Sequence, residues 1–70
     1  MSEEVEQKAE QFEYTNGTYG FKEGVKYIYN NSIKLAIENL EAMLKWSDRI
    51  GSDEINEITN IINILKNENI

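Results

Sequence analysis

The chain has 70 residues, a net charge of −6, and neither cysteine nor histidine. This length predicts one domain, close to the smallest size that can bury a sufficient apolar core. Without cysteine, neither a disulfide nor a thiolate metal site can supplement that core. Without histidine, the commonest general base and metal ligand are both missing. We therefore expect a protein that is not an enzyme, binds no cofactor or metal, and gains further burial as a homodimer.

The negative charge is concentrated at the two ends of the sequence. Residues 1–13 carry a net charge of −4 and residues 52–70 carry −3, whereas the middle is close to neutral. Nucleic acid and anionic membranes are not expected as direct partners, because binding to phosphate depends on lysine and arginine. Basic protein surfaces are expected instead. The acidic start and the lack of an apolar run of about 18 residues argue against a signal peptide and a membrane span, so we expect a cytoplasmic protein.

The first predicted element is a β-hairpin over residues 11–22, preceded by an acidic flexible tail over residues 1–10. Asn16-Gly17 is the preferred pair for a two-residue type I′ turn, in which both positions need a positive φ. With that turn, the alternation of side chains places four aromatic residues on one face of the hairpin, where they would form core. These residues are Phe12, Tyr14, Tyr19 and Phe21.

Residues 25–29 fit two structures. Their β-branched and aromatic side chains suit a third short strand. The apolar residues of the same stretch also keep helical spacing into the segment that follows. A long helix from about residue 22 therefore stays open as the alternative.

Two helices are predicted from Ser32 onwards. The first spans about residues 32–50, with Ser32 as its N-cap and Gly51 as the left-handed residue beyond its end. The second spans about residues 52–67 and is capped by Ser52. The break between them is so short that they must pack as an antiparallel hairpin. The expected fold class is therefore α+β, with a β-hairpin packed on a C-terminal helical hairpin.

Trp46 lies apart from the main apolar stripe of the first of these helices. It shares a second apolar side with Leu35 and Ile50. Tryptophan is enriched at protein interfaces, so these three residues predict a dimer or partner contact.

Eight carboxylates are predicted to bind a partner. Five belong to the N-terminal cluster and three to the start of the last helix: Glu3, Glu4, Glu6, Glu10, Glu13, Asp53, Glu54 and Glu57. Spaced carboxylates can stand in for the phosphates of DNA and pair with the lysines and arginines of a DNA-binding groove. The leading hypothesis is therefore an inhibitor that mimics DNA. The alternative is a dimerising regulatory or structural module that binds a protein through Leu35, Trp46 and Ile50.

The acidic opening Ser2-Glu3-Glu4-Val5-Glu6 accompanies small size, the absence of Cys, His and Pro, and a composition rich in Asn, Ile, Lys and Glu. In these respects the chain resembles the small acidic proteins that phages make to disable host DNA-binding proteins, most of all those directed at the nucleoid protein HU. The resemblance covers the whole chain and includes no specific motif. It implies a basic host protein as partner, with HU first and the sliding clamp and RNA polymerase as further targets.

Overall fold

The computed structural model describes residues 1–46 and 50–69, and nearly all of them are helical. The four helices are α1 (Glu3–Asn16), α2 (Phe21–Asn31), α3 (Ile33–Trp46) and α4 (Ser52–Glu68). No strand occurs in these two stretches. The expected α+β fold is therefore wrong, and the protein is an all-helical bundle.

The helices form a closed ring in which α1 packs on α2, α2 on α3, α3 on α4, and α4 on α1. Neighbours along the chain pack on one another, and α4 closes the ring on α1, so the protein is a four-helix bundle. At one end of the bundle the Ser2 N–H donates to Glu68 Oε1 at 3.2 Å. At the other end Asn16 Nδ2 donates to Glu57 Oε2 at 3.2 Å. The helices α1 and α4 are thus antiparallel neighbours.

Helix α1 replaces both the predicted flexible tail and the first predicted strand. Ser2 caps it, because its Oγ accepts a hydrogen bond from the Val5 N–H at 3.3 Å. The acidic residues of the first turn complement the positive end of the helix dipole. Val5, Ala9 and Phe12 are buried, at spacings of four and three residues that share one helix face. That apolar face crosses the boundary predicted at residue 10, so neither half shows it alone.

Gly17 ends α1 and takes the place of the predicted hairpin turn. Its φ is +64°, and the N–H groups of Gly17 and Thr18 both donate to the Glu13 carbonyl. This is the left-handed cap that commonly closes a helix. A type I′ turn needs the same positive φ, which is why Asn16-Gly17 indicated a hairpin.

The four aromatic residues expected on one face are divided by the helices. Phe12 and Phe21 are buried, with ring centroids 4.4 Å apart. Tyr14 and Tyr19 are 89% and 90% exposed. Positions two apart on a helix point in nearly opposite directions, whereas on a strand they point the same way. The predicted aromatic core is therefore half core and half surface.

Residues 25–29 lie within α2, so the third strand is wrong. The long-helix alternative is right about helix formation but not about its length. Ser32 has an extended backbone (φ −166°, ψ 124°) and separates α2 from α3. Its Oγ accepts from the Leu35 N–H at 3.3 Å, so its predicted capping role is confirmed.

Helices α3 and α4 occupy most of the two ranges predicted for them. The described part of α3 ends at Trp46, Ile50 lies outside any helix, and residues 47–49 lie outside the described residues. Gly51 is extended (φ −72°, ψ 164°) and precedes α4 as its N-cap, rather than closing α3 in a left-handed conformation. Ser52 is the first helical residue instead of the cap. The apolar stripes of both helices face the interior, with these residues buried: Ala36, Ile37, Leu40, Ile58, Ile61, Ile62 and Leu65.

Substitutions at two glycines test this backbone, because they are expected to change the free energy of unfolding in opposite directions. Gly17→Ala is expected to lower the free energy of unfolding by about 1–2 kcal/mol, because an L-residue is strained at positive φ. Gly24→Ala is expected to raise it by about 0.5–1 kcal/mol, because Gly24 is helical and no atom lies within 4 Å of an added Cβ. Urea unfolding of dilute protein measures both. Equal effects of the same sign would contradict the left-handed end of α1 at Gly17 or the helical conformation of Gly24 in α2.

Candidate functional site

Three of the five N-terminal carboxylates predicted to bind a partner are engaged with α2 instead. Glu6 Oε1 lies 2.9 Å from Lys26 Nζ, and Glu10 Oε2 lies 3.7 Å from Lys22 Nζ. Glu13 Oε1 accepts from the backbone N–H of Lys22 at 3.2 Å, in the first turn of α2. At spacings of four and three residues, these carboxylates share the side of α1 that faces α2. They hold two helices of the bundle together and do not form a free line of charge.

The ion pair between Glu6 and Lys26 shifts the pKa of both side chains. The hydrogen bond and charge of Lys26 lower the pKa of Glu6 below its usual 4.5, and the same contact with Glu6 raises the pKa of Lys26 above 10.5. A lowered acid pKa stabilises the fold above pH 4.5, and this contribution is lost as pH falls through the folded pKa of Glu6. A raised lysine pKa stabilises the fold below pH 10.5, and this contribution is lost as pH rises through the folded pKa of Lys26.

Glu6→Gln is therefore expected to reduce stability between these two limits, and to have no effect once either partner loses its charge. Because both side chains are partly exposed to solvent, the reduction is expected to be small and to shrink at high salt. Urea unfolding of both proteins across the pH range measures the difference. A difference that persists unchanged after Glu6 is protonated would show that the pair contributes nothing electrostatic.

Glu3 and Glu4 lie at the start of α1, and both are exposed. Glu3 Oε1 accepts a long hydrogen bond of 3.4 Å from Gln7 Nε2. Because α1 and α4 are antiparallel, these two carboxylates lie at the opposite end of the bundle from the start of α4. The length of α1 separates the two groups by about 20 Å.

The three carboxylates predicted on α4 meet at one open cleft of about 550 Å³, between the end of α1 and the first turns of α4. The Asp53 side chain is exposed, and those of Glu54 and Glu57 are half-buried. The remaining lining residues are polar or small: Thr15, Asn16, Gly51, Ser52, Asn56 and Asn60. No lysine or arginine of the described stretches lines it. We refer to this feature as the acidic cleft.

The wall of the acidic cleft is fixed by a hydrogen-bonded bridge between α1 and α4. Asn16 Nδ2 donates both to the Phe12 carbonyl at 3.0 Å and to Glu57 Oε2 at 3.2 Å. Glu57 is thereby held in place with its second oxygen free of this bond. On its other side, Glu57 lines a smaller hollow together with Lys8. Among the described residues, the cleft is therefore an acidic surface, and Lys8 lies beyond it on the other side of Glu57.

The three apolar residues predicted as a dimer or partner contact divide into two groups. Leu35 and Trp46 are 47% and 78% exposed on the outer side of α3. Lys45 Nζ lies 5.8 Å from the centre of the Trp46 ring. Ile50 is partly buried against the core and borders a hollow that Trp46 also lines. Only Leu35 and Trp46 are presented to solvent as predicted.

Two features escaped the sequence analysis. At the end of the bundle that holds Ser2, burial and the charge of Glu68 raise the pKa of Tyr29 above its usual 10.0. No spacing pattern links Tyr29 to a residue 39 positions later, so only the fold shows their proximity. The second feature is an apolar groove between α2 and α3. In the sequence this groove is indicated by Gly20 and Gly24, because a spacing of four residues leaves one helix face without side chains there.

Within residues 1–46 and 50–69, no group of three or more acidic side chains is placed to hold a metal ion. None of the helices in these stretches is both long and apolar enough to cross a membrane. Comparisons of the chain with protein-family models, curated proteins and solved structures find no match in any of the three.

Proposed function

We propose that the protein is a non-catalytic inhibitor that binds a basic, nucleic-acid-binding protein surface through its acidic cleft. The observation that supports this most directly is that Asp53, Glu54 and Glu57 meet at one open cleft, which no lysine or arginine of the described residues lines. Carboxylates form short, charge-assisted hydrogen bonds with guanidinium and ammonium groups. A side chain that normally contacts DNA phosphate can therefore enter the cleft instead.

The electrostatic balance at the cleft favours a cation. The start of α4 contributes the equivalent of about +0.5 charge from its helix dipole. Asp53 and Glu54 in the first turn more than offset this. The whole chain carries −6, which extends the attraction for a basic partner beyond the contact itself.

Only some of the eight predicted carboxylates are available for direct contact with a partner. Glu6, Glu10 and Glu13 have partners on α2, so they add to the overall field but not to a direct contact. Glu3 and Glu4 remain exposed and supply a second acidic group at the far end of α1. A partner that meets both groups must present cations about 20 Å apart.

The resemblance to phage-encoded inhibitors makes the nucleoid protein HU the first candidate target. It also places the proposed activity in the cytoplasm of a bacterial host. The sliding clamp and RNA polymerase present basic channels of the same chemical kind, and they are the next candidates.

The experiment is a binding titration of the protein with purified HU at two ionic strengths. We expect the affinity to fall by about tenfold or more between about 0.1 M and about 1 M salt, where the Debye length falls from about 10 Å to about 3 Å. Sliding clamp and RNA polymerase serve as parallel targets. Binding that is insensitive to salt would contradict the electrostatic mechanism, and absence of binding to HU would remove HU as the target.

A further inference from the structure

An apolar groove of about 190 Å³ lies between α2 and α3, on the side of the bundle away from the acidic cleft. Its floor includes Val25, Ile28 and Leu40, and no charged residue of the described stretches lines it. It is open because Gly20 and Gly24 present no side chain on the α2 side, and no atom lies within 4 Å of where a Cβ would be. Water therefore contacts apolar surface that an ordinary pair of helices would cover.

The α3 border of this groove carries exposed side chains, of which three in four are apolar. Leu35, Asn39, Ala42 and Trp46 recur at spacings of four, three and four residues, so they lie on one face of α3. All four are exposed, and Asn39 also lines the groove. This border stripe extends about 16 Å from Leu35 to Trp46, with the two smaller side chains between them.

We propose that the groove and its border stripe form the interface of a homodimer, in which α3 of one copy packs antiparallel to α3 of the other. A twofold axis between Asn39 and Ala42 places Leu35 of each copy opposite Trp46 of the other. The small residues at the centre allow the helices to approach closely. Trp46, 78% exposed in the single chain, then covers the open apolar surface of the second copy.

A second copy of the chain fits this face because the border stripe lies beside the groove of its own copy and can contact the groove of the other. One twofold operation therefore covers both grooves at once, as an isologous interface requires. The two larger dimensions of the bundle are 30 and 22 Å, so one side presents on the order of 600 Å² in projection. Interfaces of standard size bury about 800 Å² on each partner. A dimer that covers this whole side would therefore lie near the lower end of the size range of specific interfaces.

The uncharged lining of the groove suits self-association of an acidic chain. Two copies with a charge of −6 each repel one another, so a stable contact must keep their carboxylates apart. None of the described residues that line the groove is charged, and the acidic cleft lies between the other two helices. The dimer would therefore leave both acidic clefts open. This inference does not depend on the proposed function.

Sedimentation equilibrium of the full chain tests the dimer. We expect a mass twice the 8.1 kDa of the chain, and an association that strengthens slightly with salt as the repulsion is screened. Binding at the acidic cleft weakens with salt, so the two proposals fail in distinguishable ways. A chain that stays monomeric up to about 1 mM would overturn the dimer. A monomeric chain whose groove binds only an amphipathic peptide from another protein would overturn it as well.

Three variants locate the interface. Trp46→Ala is expected to raise the dimer dissociation constant by about 30-fold or more, as loss of a tryptophan hot spot does. Gly24→Leu fills the groove from an exposed helix position and is expected to weaken the dimer without unfolding the chain. Tyr14→Ala is the matched control, because Tyr14 is 89% exposed on α1, away from the groove. A dimer that Trp46→Ala and Gly24→Leu leave intact, or that Tyr14→Ala weakens equally, would overturn the assignment.

Discussion

Phe12→Ala is expected to lower the free energy of unfolding by about 3–5 kcal/mol, whereas Tyr14→Ala changes it by less than about 0.5 kcal/mol. Phe12 is buried and its ring centroid lies 4.4 Å from that of Phe21. Tyr14 is 89% exposed. Because small domains have only about 5–15 kcal/mol of total stability, the first substitution removes a large part of it.

Urea unfolding followed by circular dichroism measures both variants under one set of conditions. The comparison is sensitive to fold because a strand would place both aromatic side chains on the same face. Equal destabilisation by the two substitutions would contradict α1 and favour the hairpin. A large difference in the expected direction supports a helix through residues 12–14.

Asp53→Asn combined with Glu54→Gln is expected to weaken binding to a basic partner by on the order of 10- to 100-fold. Both substitutions keep the side-chain shape and remove two charges from the acidic cleft. They leave the bridge between Asn16 and Glu57 in place. The expected loss therefore reports on charge at the cleft rather than on the position of α4.

Glu23→Gln combined with Glu41→Gln is the matched control, because Glu41 faces α4 through Lys66 and lies off the proposed dimer interface. It changes the net charge by the same amount, at exposed positions on α2 and α3. If charge at the cleft is responsible, the control loses only the small part that the overall field contributes. Isothermal titration calorimetry at low salt provides the affinities. Equal losses in the two double variants would show that the cleft has no special role.

The C-terminal half of the fold was predictable because its signals agree with one another. The apolar residues of α3 and α4 repeat at helical spacing over three or more turns, and Ser32 provides a cap that the structure confirms. Only the boundary was misplaced. Gly51 can end one helix or begin another, and it begins α4 in an extended conformation.

The N-terminal half was mispredicted because one local signal fits two structures. Asn16-Gly17 suits a type I′ turn and equally suits a left-handed helix cap, since both need a positive φ at glycine. Long-range packing decides between them. The apolar face of Val5, Ala9 and Phe12 is buried against neighbouring helices, a gain that a hairpin preceded by a mobile tail would not provide.

The sequence indicates which α4 carboxylates lie close together, but not which carboxylates of α1 form ion pairs and hydrogen bonds with α2. Asp53, Glu54 and Glu57 lie within one helical turn, so their proximity follows from spacing alone. The contacts of Glu6, Glu10 and Glu13 with α2 could not be predicted, because the first residues of α2 were assigned to a β-hairpin. The apolar groove likewise exists only because α2 is a helix beside α3.

The two proposed surfaces are compatible in one assembly. The acidic cleft lies between α1 and α4, and the groove lies between α2 and α3. A dimer through the groove would therefore present two acidic clefts to a partner. Binding by both clefts at once would raise the apparent affinity without any new contact, provided that the partner spans them.

Competition with DNA tests the central claim most directly. A fluorescent DNA duplex is first bound to HU at low salt, and the protein is then added while the anisotropy of the duplex is followed. Occupation of the DNA-binding surface predicts that anisotropy falls to the value of free DNA, and that the variant lacking the charges of Asp53 and Glu54 needs about 10- to 100-fold more protein for the same release. A stable complex of all three components, or no release of DNA despite binding, would contradict the account.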